Sequence, residues 1–369
     1  MTTTTIWRPC YATREEVMRA LDSKQAAYNK DQIDRQITMA SEDVDGLCQR
    51  QFYPEDATRF LDWPNYQYAY PWRIWLERNE LAANQTQNPS MILASGGTAI
   101  PSNAFFCRSE NYGPPFTRIE LDRSKNFSFG NGPTPQRDIS IQGTFGYWLK
   151  TWAAGTITSA LTDTTSPIVN VSTSYSPGVG DAIVVDSERM IVQDKAMVDT
   201  GIAFDGLATV SAADNQVAVP DATKFATGEI LRADSERLLV VDILTSTLLA
   251  VKRAWDGTIL APHTSGTLFA QRQLTVLRGA LGTSGATHLN NAPVSVFLVP
   301  GLVKELAIAE STVGLTQEPA AYGGGTSAIK RVALRSAGSI NEPAPGEGIP
   351  DLRDRVCTRY GRRVRSRVI

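Results

Sequence analysis

The chain is poor in the residues from which catalytic and metal centres are usually built. Its 369 residues include four cysteines and two histidines. Cys10, Cys48, Cys107 and Cys357 are scattered, without the spacing of a zinc site or a redox pair. Cysteine used so sparingly points to assembly in a reducing cytosol. With histidine only at His263 and His288, a serine or cysteine triad has few possible bases, and zinc would lack its remaining ligands. No nucleophile elbow is present. Gly323-Gly-Gly-Thr-Ser-Ala-Ile-Lys330 lacks the Gly-Lys-Ser/Thr ending of a phosphate loop and reads as a linker. No run approaches the roughly eighteen apolar residues of a membrane-spanning helix. The opening Met1-Thr-Thr-Thr-Thr-Ile-Trp-Arg-Pro9 has no signal-peptide pattern. A net charge of −2 predicts no wholesale attraction to nucleic acid or to an anionic membrane. No catalytic residue, cofactor or metal is expected.

What the chain does have is internal repetition. Gly180-Asp-Ala-Ile-Val-Val-Asp-Ser-Glu-Arg-Met-Ile-Val192 recurs without gaps at 228–240, and Val251-x-Arg-x-x-x-Gly-Thr-x-x-Ala-x-His263 recurs at 276–288. Self-similarity of this kind marks a unit that packs against its own copy. Each Asp-Ser-Glu-Arg lies between two apolar runs, which predicts strand–turn–strand. Asp256-Gly257 and Leu281-Gly282 read as tight turns. The carboxylates Asp186, Glu188, Asp234 and Glu236 could in principle do acid–base work across a sugar bond. An adjacent arginine, Arg189 or Arg237, should instead hold both ionised, so a structural role is preferred. On that reading, Glu188→Gln and Glu236→Gln should change stability modestly. Histidines at equivalent repeat positions likewise suggest a paired structural role.

Outside the repeats the period is helical at both ends. Thr13-Arg-Glu-Glu16 and Asn29-Lys-Asp-Gln32 are capping boxes. They open a short helix and a longer one whose stripe is Ile33, Ile37, Ala40, Val44 and Leu47. From Thr58 the pattern turns to strands: 60–63, 72–76, 91–93, 117–121 and 139–148, separated by turn-rich loops at 82–90 and 124–136. A helix restarts after Pro300 with the stripe Leu302, Leu306, Ala309 and Val313, and Gly314 should cap it. Beyond a Pro/Gly-rich link at 342–348, a last helix from Asp351 to about Tyr360 leads into a basic tail. Residues 351–369 hold seven arginines against two aspartates. This mixture of arginine and aliphatic residues suits a segment that is mobile alone and orders on docking. The candidate docking residues are Arg353, Arg355, Arg359, Tyr360, Arg362, Arg363, Val364, Arg365, Arg367 and Ile369.

The capped helices, followed by Arg50-Gln-Phe-Tyr-Pro54, resemble the opening of head–tail adaptor (connector) proteins of tailed bacteriophages. Ile139-Ser-Ile-Gln-Gly-Thr-Phe-Gly-Tyr-Trp148 and the helix in 299–310 are similar to that family's strand ending in Gly-Tyr and its Pro-started helix. The second Val-x-Arg…His288 stretch resembles a motif of phage structural proteins. The resemblance covers 10–54, 139–148 and 299–369. The switch from helical to alternating period and back, with the repeats confined between, predicts an α+β fold: a helical adaptor-type domain with short strands (1–150 and 299–369), interrupted by a duplicated all-β insert domain (151–298), the insert being a departure from the family. The resemblance implies a non-enzymatic virion protein at the head–tail interface, assembled in the host cytoplasm. Such a protein forms a homo-oligomeric ring, a dodecamer by family resemblance, beneath the portal protein. It extends the DNA channel, passes double-stranded DNA without sequence specificity, and meets a downstream stopper or tail-terminator protein; no membrane is involved. The alternatives are a tail or baseplate structural protein, and a glycan-binding or glycan-degrading tail protein.

Overall fold

A computed structural model describes residues 6–21, 29–64, 70–110, 113–207, 211, 213–322 and 348–362. The linker at 323–330 and most of the 342–348 link lie outside the described residues. The chain forms two compact units, one of residues 1–44, 151–280 and 284–356, the other of 45–150, 281–283 and 357–369. This division differs from the expected one, because the repeats share a unit with the first helices.

Both capping boxes form. Thr13 caps α1 (Arg14–Ala20), accepting from the Glu16 amide at 3.2 Å while Glu16 accepts the Thr13 amide at 3.0 Å. Asn29 and Gln32 exchange the same two bonds ahead of α2 (Lys30–Cys48). In the second unit, β1 (Glu55–Leu61), β7 (Ile139–Phe145), β3 (Ile92–Ser95) and β4 (Thr98–Ile100) form one antiparallel sheet in that order. A second sheet runs β2 (Arg73–Trp75), β6 (Arg118–Leu121), β5 (Phe105–Arg108). Their shared core includes Leu81, Leu93, Phe105, Ile119, Ile141 and Phe145. The long loop before β7 is pinned: Asp138 accepts the Gly130 and Gly132 amides, and Phe129 packs on Trp63 at 5.4 Å.

The repeats build ten strands: β8 (Thr151–Thr156), β9 (Ile168–Asn170), β10 (Ala182–Val185), β11 (Glu188–Leu207), β12 (Gln216–Ala218), β13 (Ile230–Ala233), β14 (Glu236–Thr245), β15 (Leu248–Lys252), β16 (His263–Leu277) and β17 (Pro293–Phe297). Strands β11, β12, β15, β14, β13 and β16 close into a six-stranded barrel, because β11 pairs with β16 along its length. Closure leaves no free edge and satisfies the backbone within the ring. Its core is formed by residues such as Phe204, Leu231, Leu238, Leu249 and Leu268. A second ring uses the other halves of the same long strands, in the order β8, β17, β10, β11, β16, β9. The bridge Ile157–Val171 joins its ends. Bulges break the β11–β16 register between Val192 and Asp194, Ala196 and Val198, and Asp199 and Ile202; such kinks let a strand turn from one ring into the next.

The copies are nested. In the inner copy, β14 turns into β15 through Ser246-Thr247, with Thr245 opposite Leu248. The equivalent point of the outer copy is Ala196 opposite Gln273. Where the inner copy has a two-residue turn, the outer copy carries the whole inner ring.

The expected helical adaptor domain with an insert is therefore corrected. The described residues contain only four helices and are mostly β, including the closed six-stranded barrel. The physical reason is that most of the apolar residues bury in cores built by sheets, around Leu93 and Ile141 in one unit and Leu231 and Leu268 in the other. Helix α1 docks on the outer ring, whose Val179 carbonyl accepts the Arg14 amide at 3.0 Å. Arg14 also bridges Asp34 and Asp194 at 2.6 and 2.7 Å, and Glu15 pairs with Lys195 at 3.0 Å. Helix α3 (Gly301–Tyr322) packs on α1, with Lys304 on Glu16 at 2.7 Å. It runs through Gly314 rather than ending there. The end of the Gln36 side chain lies against Gly314, inside the helix rather than at its cap. Helix α4 (Ile349–Tyr360) closes the described chain.

Candidate functional site

Two-residue turns, Asp186-Ser187 and Asp234-Ser235, join β10 to β11 and β13 to β14. Asp186 and Asp234 adopt left-handed φ values of 52° and 50°, which a short polar side chain tolerates. Each turn delivers a glutamate, Glu188 or Glu236, whose side chain is fully buried. A buried carboxylate needs compensating donors, and the second repeated motif supplies them. In the inner ring Arg253 donates Nε and Nη2 to the two Glu236 oxygens at 3.0 and 2.8 Å. The Ala254 and Ala261 amides donate at 2.9 and 3.1 Å. His263 places Nε2 2.9 Å from Glu236 and Nδ1 2.7 Å from Asp234.

The outer ring repeats the pattern. Arg278 meets Glu188 at 2.7 and 2.8 Å, the Gly279 and Ala286 amides at 2.8 and 2.8 Å, and His288 bridges Glu188 and Asp186 at 2.9 and 2.7 Å. Arg253 and Arg278 also donate to the Ala261 and Ala286 carbonyls. The backbone matches as well: Ala254, Asp256 and Gly257 share left-handed φ with Gly279, Leu281 and Gly282.

Burial alone would raise the Glu188 carboxyl, but the donors of Arg278, His288 and the two amides prevail and hold it down at about 2. Glu236 is lowered against the same burial penalty, chiefly by Arg253. Carboxylates so tightly ionised have no proton to deliver near neutrality, so these nodes act as cross-links between a hairpin and the loop leading into the next strand.

Two details differ from the sequence reading. The guanidinium comes from Arg278 or Arg253, not from the adjacent arginine; Arg237 faces Asp256, and Arg189 lies over the Phe297 ring at 5.9 Å. Each histidine serves its own node. Among the described residues, no group of three or more His, Cys, Asp or Glu is arranged to hold a metal. With five donors on one carboxylate, modest glutamine effects are no longer expected.

The described part of the proposed docking segment makes contacts within its own chain. Arg353 pairs with Glu310 at 2.6 Å, Val356 is fully buried, and Arg355 is exposed. Tyr360 meets the Phe52 and Tyr147 rings edge-on at 6.0 and 5.9 Å, and Arg359 lies 5.7 Å from the Tyr360 ring. The Arg362 amide donates to the Cys48 carbonyl at 3.0 Å. These contacts involve helix α4 and the residues that directly follow it. Arg363, Val364, Arg365, Arg367 and Ile369 lie outside the described residues.

The sequence reading missed a cleft of about 250 Å³ lined by α1, α3 and the outer ring. Glu16, Arg19, Trp152, Tyr175, Asp181 and Lys304 line it. Asp181 is 8% exposed and accepts the Gly178 amide at 2.7 Å. Burial pushes its carboxyl up to about 7, with Lys304 opposing and Glu16 reinforcing the shift. The available signal was the repeat itself, which aligns Asp181 with Glu229. No family model matches the chain, and no curated protein or solved structure is detectably similar to it.

Proposed function

We propose that the chain is a structural head-to-tail adaptor of a tailed-phage virion. It assembles with copies of itself into a ring under the portal, extends the DNA channel and presents a surface to a downstream stopper or tail-terminator protein. The observation that carries this reading is the meeting of two of the three segments on which the resemblance rests, 10–54 and 299–369. Glu16 of α1 and Lys304 of α3, far apart in sequence, pair at 2.7 Å, and Ser311 donates to the Gln36 carbonyl at 3.4 Å. The commitment of both repeated Asp–Glu–His sets to buried cross-links supports a structural rather than a hydrolytic role. A glycan-degrading protein working through the Asp-Ser-Glu-Arg glutamates would need one of them with a raised pKa, and both Glu188 and Glu236 are lowered. Outside the tail the charge is acidic, which suits a conduit through which phosphates slide without sticking.

Electron microscopy of the purified protein, alone and mixed with portal, tests the proposal directly. Rings that attach to portal are expected; a protein that stays monomeric and ignores portal would refute it. Removing 363–369 alone keeps helix α4 and should weaken portal attachment. Turnover of a host glycan by the intact protein would instead favour the tail-enzyme alternative.

A further inference from the structure

The same repeat position carries a carboxylate in both rings, Glu229 in the inner and Asp181 in the outer. In the inner ring Glu229 is fully buried and accepts the Arg272 Nε and Nη2 at 3.1 and 3.0 Å. Ser174 adds its amide and hydroxyl at 2.7 and 3.0 Å, and the Ala226 amide donates at 2.9 Å. The guanidinium also donates to the Lys224 carbonyl at 2.6 Å and lies over the Phe225 ring at 5.5 Å. A buried carboxylate is here neutralised by an arginine from a neighbouring strand.

In the outer ring the carboxylate remains and the arginine is gone. Asp181 accepts the Gly178 amide as Glu229 accepts that of Ala226, yet among the described residues no cation lies within ion-pair distance of it. The strand register shows why. Leu231 pairs with Ala270, and its repeat equivalent Ile183 pairs with Val296. Two residues further on stand Arg272 in the inner ring and Leu298 in the outer. Leu298 is 40% exposed and lines the cleft. The other charged groups facing Asp181 are engaged. Glu15 holds Lys195 at 3.0 Å and the Val179 amide at 2.9 Å, and Glu16 holds Lys304 at 2.7 Å. Arg19 donates to the Gly228 carbonyl at 3.1 Å and lies over the Tyr175 ring at 5.3 Å. One buried carboxylate, open to a cleft with exposed Trp152 and Tyr175 on its wall, is left for an incoming cation.

We propose that this cleft binds an alkylguanidinium group at Asp181, taking the place that Arg272 fills in the inner ring. Arginine suits the position because its planar fork pairs with a carboxylate and stacks on aromatic faces. This inference does not rest on the adaptor reading. Since burial raises the empty-cleft Asp181 to about 7, uptake must ionise it below that pH. Affinity should then fall by about tenfold per pH unit as pH drops below 7.

The test is calorimetric titration of the full chain with N-acetyl-L-arginine methylamide, with the lysine analogue, and with a short arginine-containing peptide, at pH 8 and pH 6. One site that prefers the arginine probe is expected, weaker at pH 6. Asp181→Asn should weaken it at least tenfold and flatten its pH dependence. Leu298→Arg, at a half-exposed position, should fill the site from within and abolish uptake while raising the melting temperature. Uptake of the small probe as tight as that of the peptide supports a free guanidinium ligand; uptake of the peptide alone supports an arginine presented by a polypeptide. The proposal fails if neither probe binds, if lysine binds as well as arginine, or if Leu298→Arg leaves uptake unchanged. This last variant decides the matter even should Asp181→Asn not fold.

Discussion

Replacing Glu188 by glutamine changes one oxygen into an amino group and nothing else in size. In the outer node, Oε1 accepts two donors and Oε2 accepts three. Whichever way the amide is turned, at least two donors lose their acceptor and face N–H instead. One of them belongs to Arg278, whose charge is then buried without its counter-ion. Breaking a buried pair from one side costs about 3–5 kcal/mol. At about 2–4 °C per kcal/mol for a domain of this size, the melting temperature should fall by about 6–20 °C. Equilibrium urea unfolding followed by tryptophan fluorescence measures the loss. Glu236→Gln should cost the same within about 1 kcal/mol, because its donors match one for one. Combining Glu188→Gln with Arg278→Met should cost less than the sum of the two, since the residues share one interaction. A loss under about 1 kcal/mol for Glu188→Gln, or strict additivity in the double variant, would falsify the view that these nodes cross-link the rings.

Acid should act on the same groups. Glu188 is held at about 2 against an ordinary 4.5, so its contribution is complete above about pH 4.5 and is lost as pH falls through 2; Glu188→Gln should show a flatter unfolding profile across that window. Asp181 is shifted the opposite way, so Asp181→Asn should raise the melting temperature at pH 8 and leave it unchanged at pH 4, as scanning calorimetry can establish. Excising residues 198–272 and joining the ends through Ser-Thr should leave a folded outer ring; a product without near-ultraviolet circular dichroism would contradict the nested arrangement. Truncation after Gly348 should destabilise the chain by removing buried Val356 and half-buried Tyr360, and should cost more than truncation after Arg362, which keeps both, a contrast that thermal melts can resolve.

Local features were legible in the sequence wherever one segment decided them. Both capping boxes, the strand at Ile139–Phe145 and the last helix follow from nearest-neighbour chemistry, whereas the strand expected at 60–63 lies earlier, at Glu55–Leu61. The missed strands Thr98–Ile100 and Phe105–Arg108 are three and four residues long, too short to show a period. Gly314 misled because a glycine at a helix cap and one inside a helix look alike until the extent of the helix is known. Both node arginines were visible as a repeated Val-x-Arg, but not which hairpin each would serve. Adjacency favoured Arg189 and Arg237, whereas nesting selects Arg278 for Glu188 and Arg253 for Glu236. The fold class was misjudged for a related reason: strongly signalled terminal helices outweighed many short strands whose ring closure depends on long-range pairing.

The nested rings also dictate an order of events in folding. Pairing Ala196 with Gln273 means bringing together positions separated by the whole inner copy. Closing a loop of about 75 residues rather than about two costs an extra 3 kcal/mol or so in chain entropy. Once the inner ring has closed, its ends already lie side by side, and the outer strands can zip from that point at little further entropic cost. Folding should therefore run from the inside outward, with β17, the last outer strand to be synthesised, completing the second ring. Pulsed hydrogen exchange during refolding should find the amides of β13 and β14 protected before those of β10 and β17. Destabilising the inner node at Glu236 should then slow the closure of both rings, while the same change at Glu188 slows only the outer one.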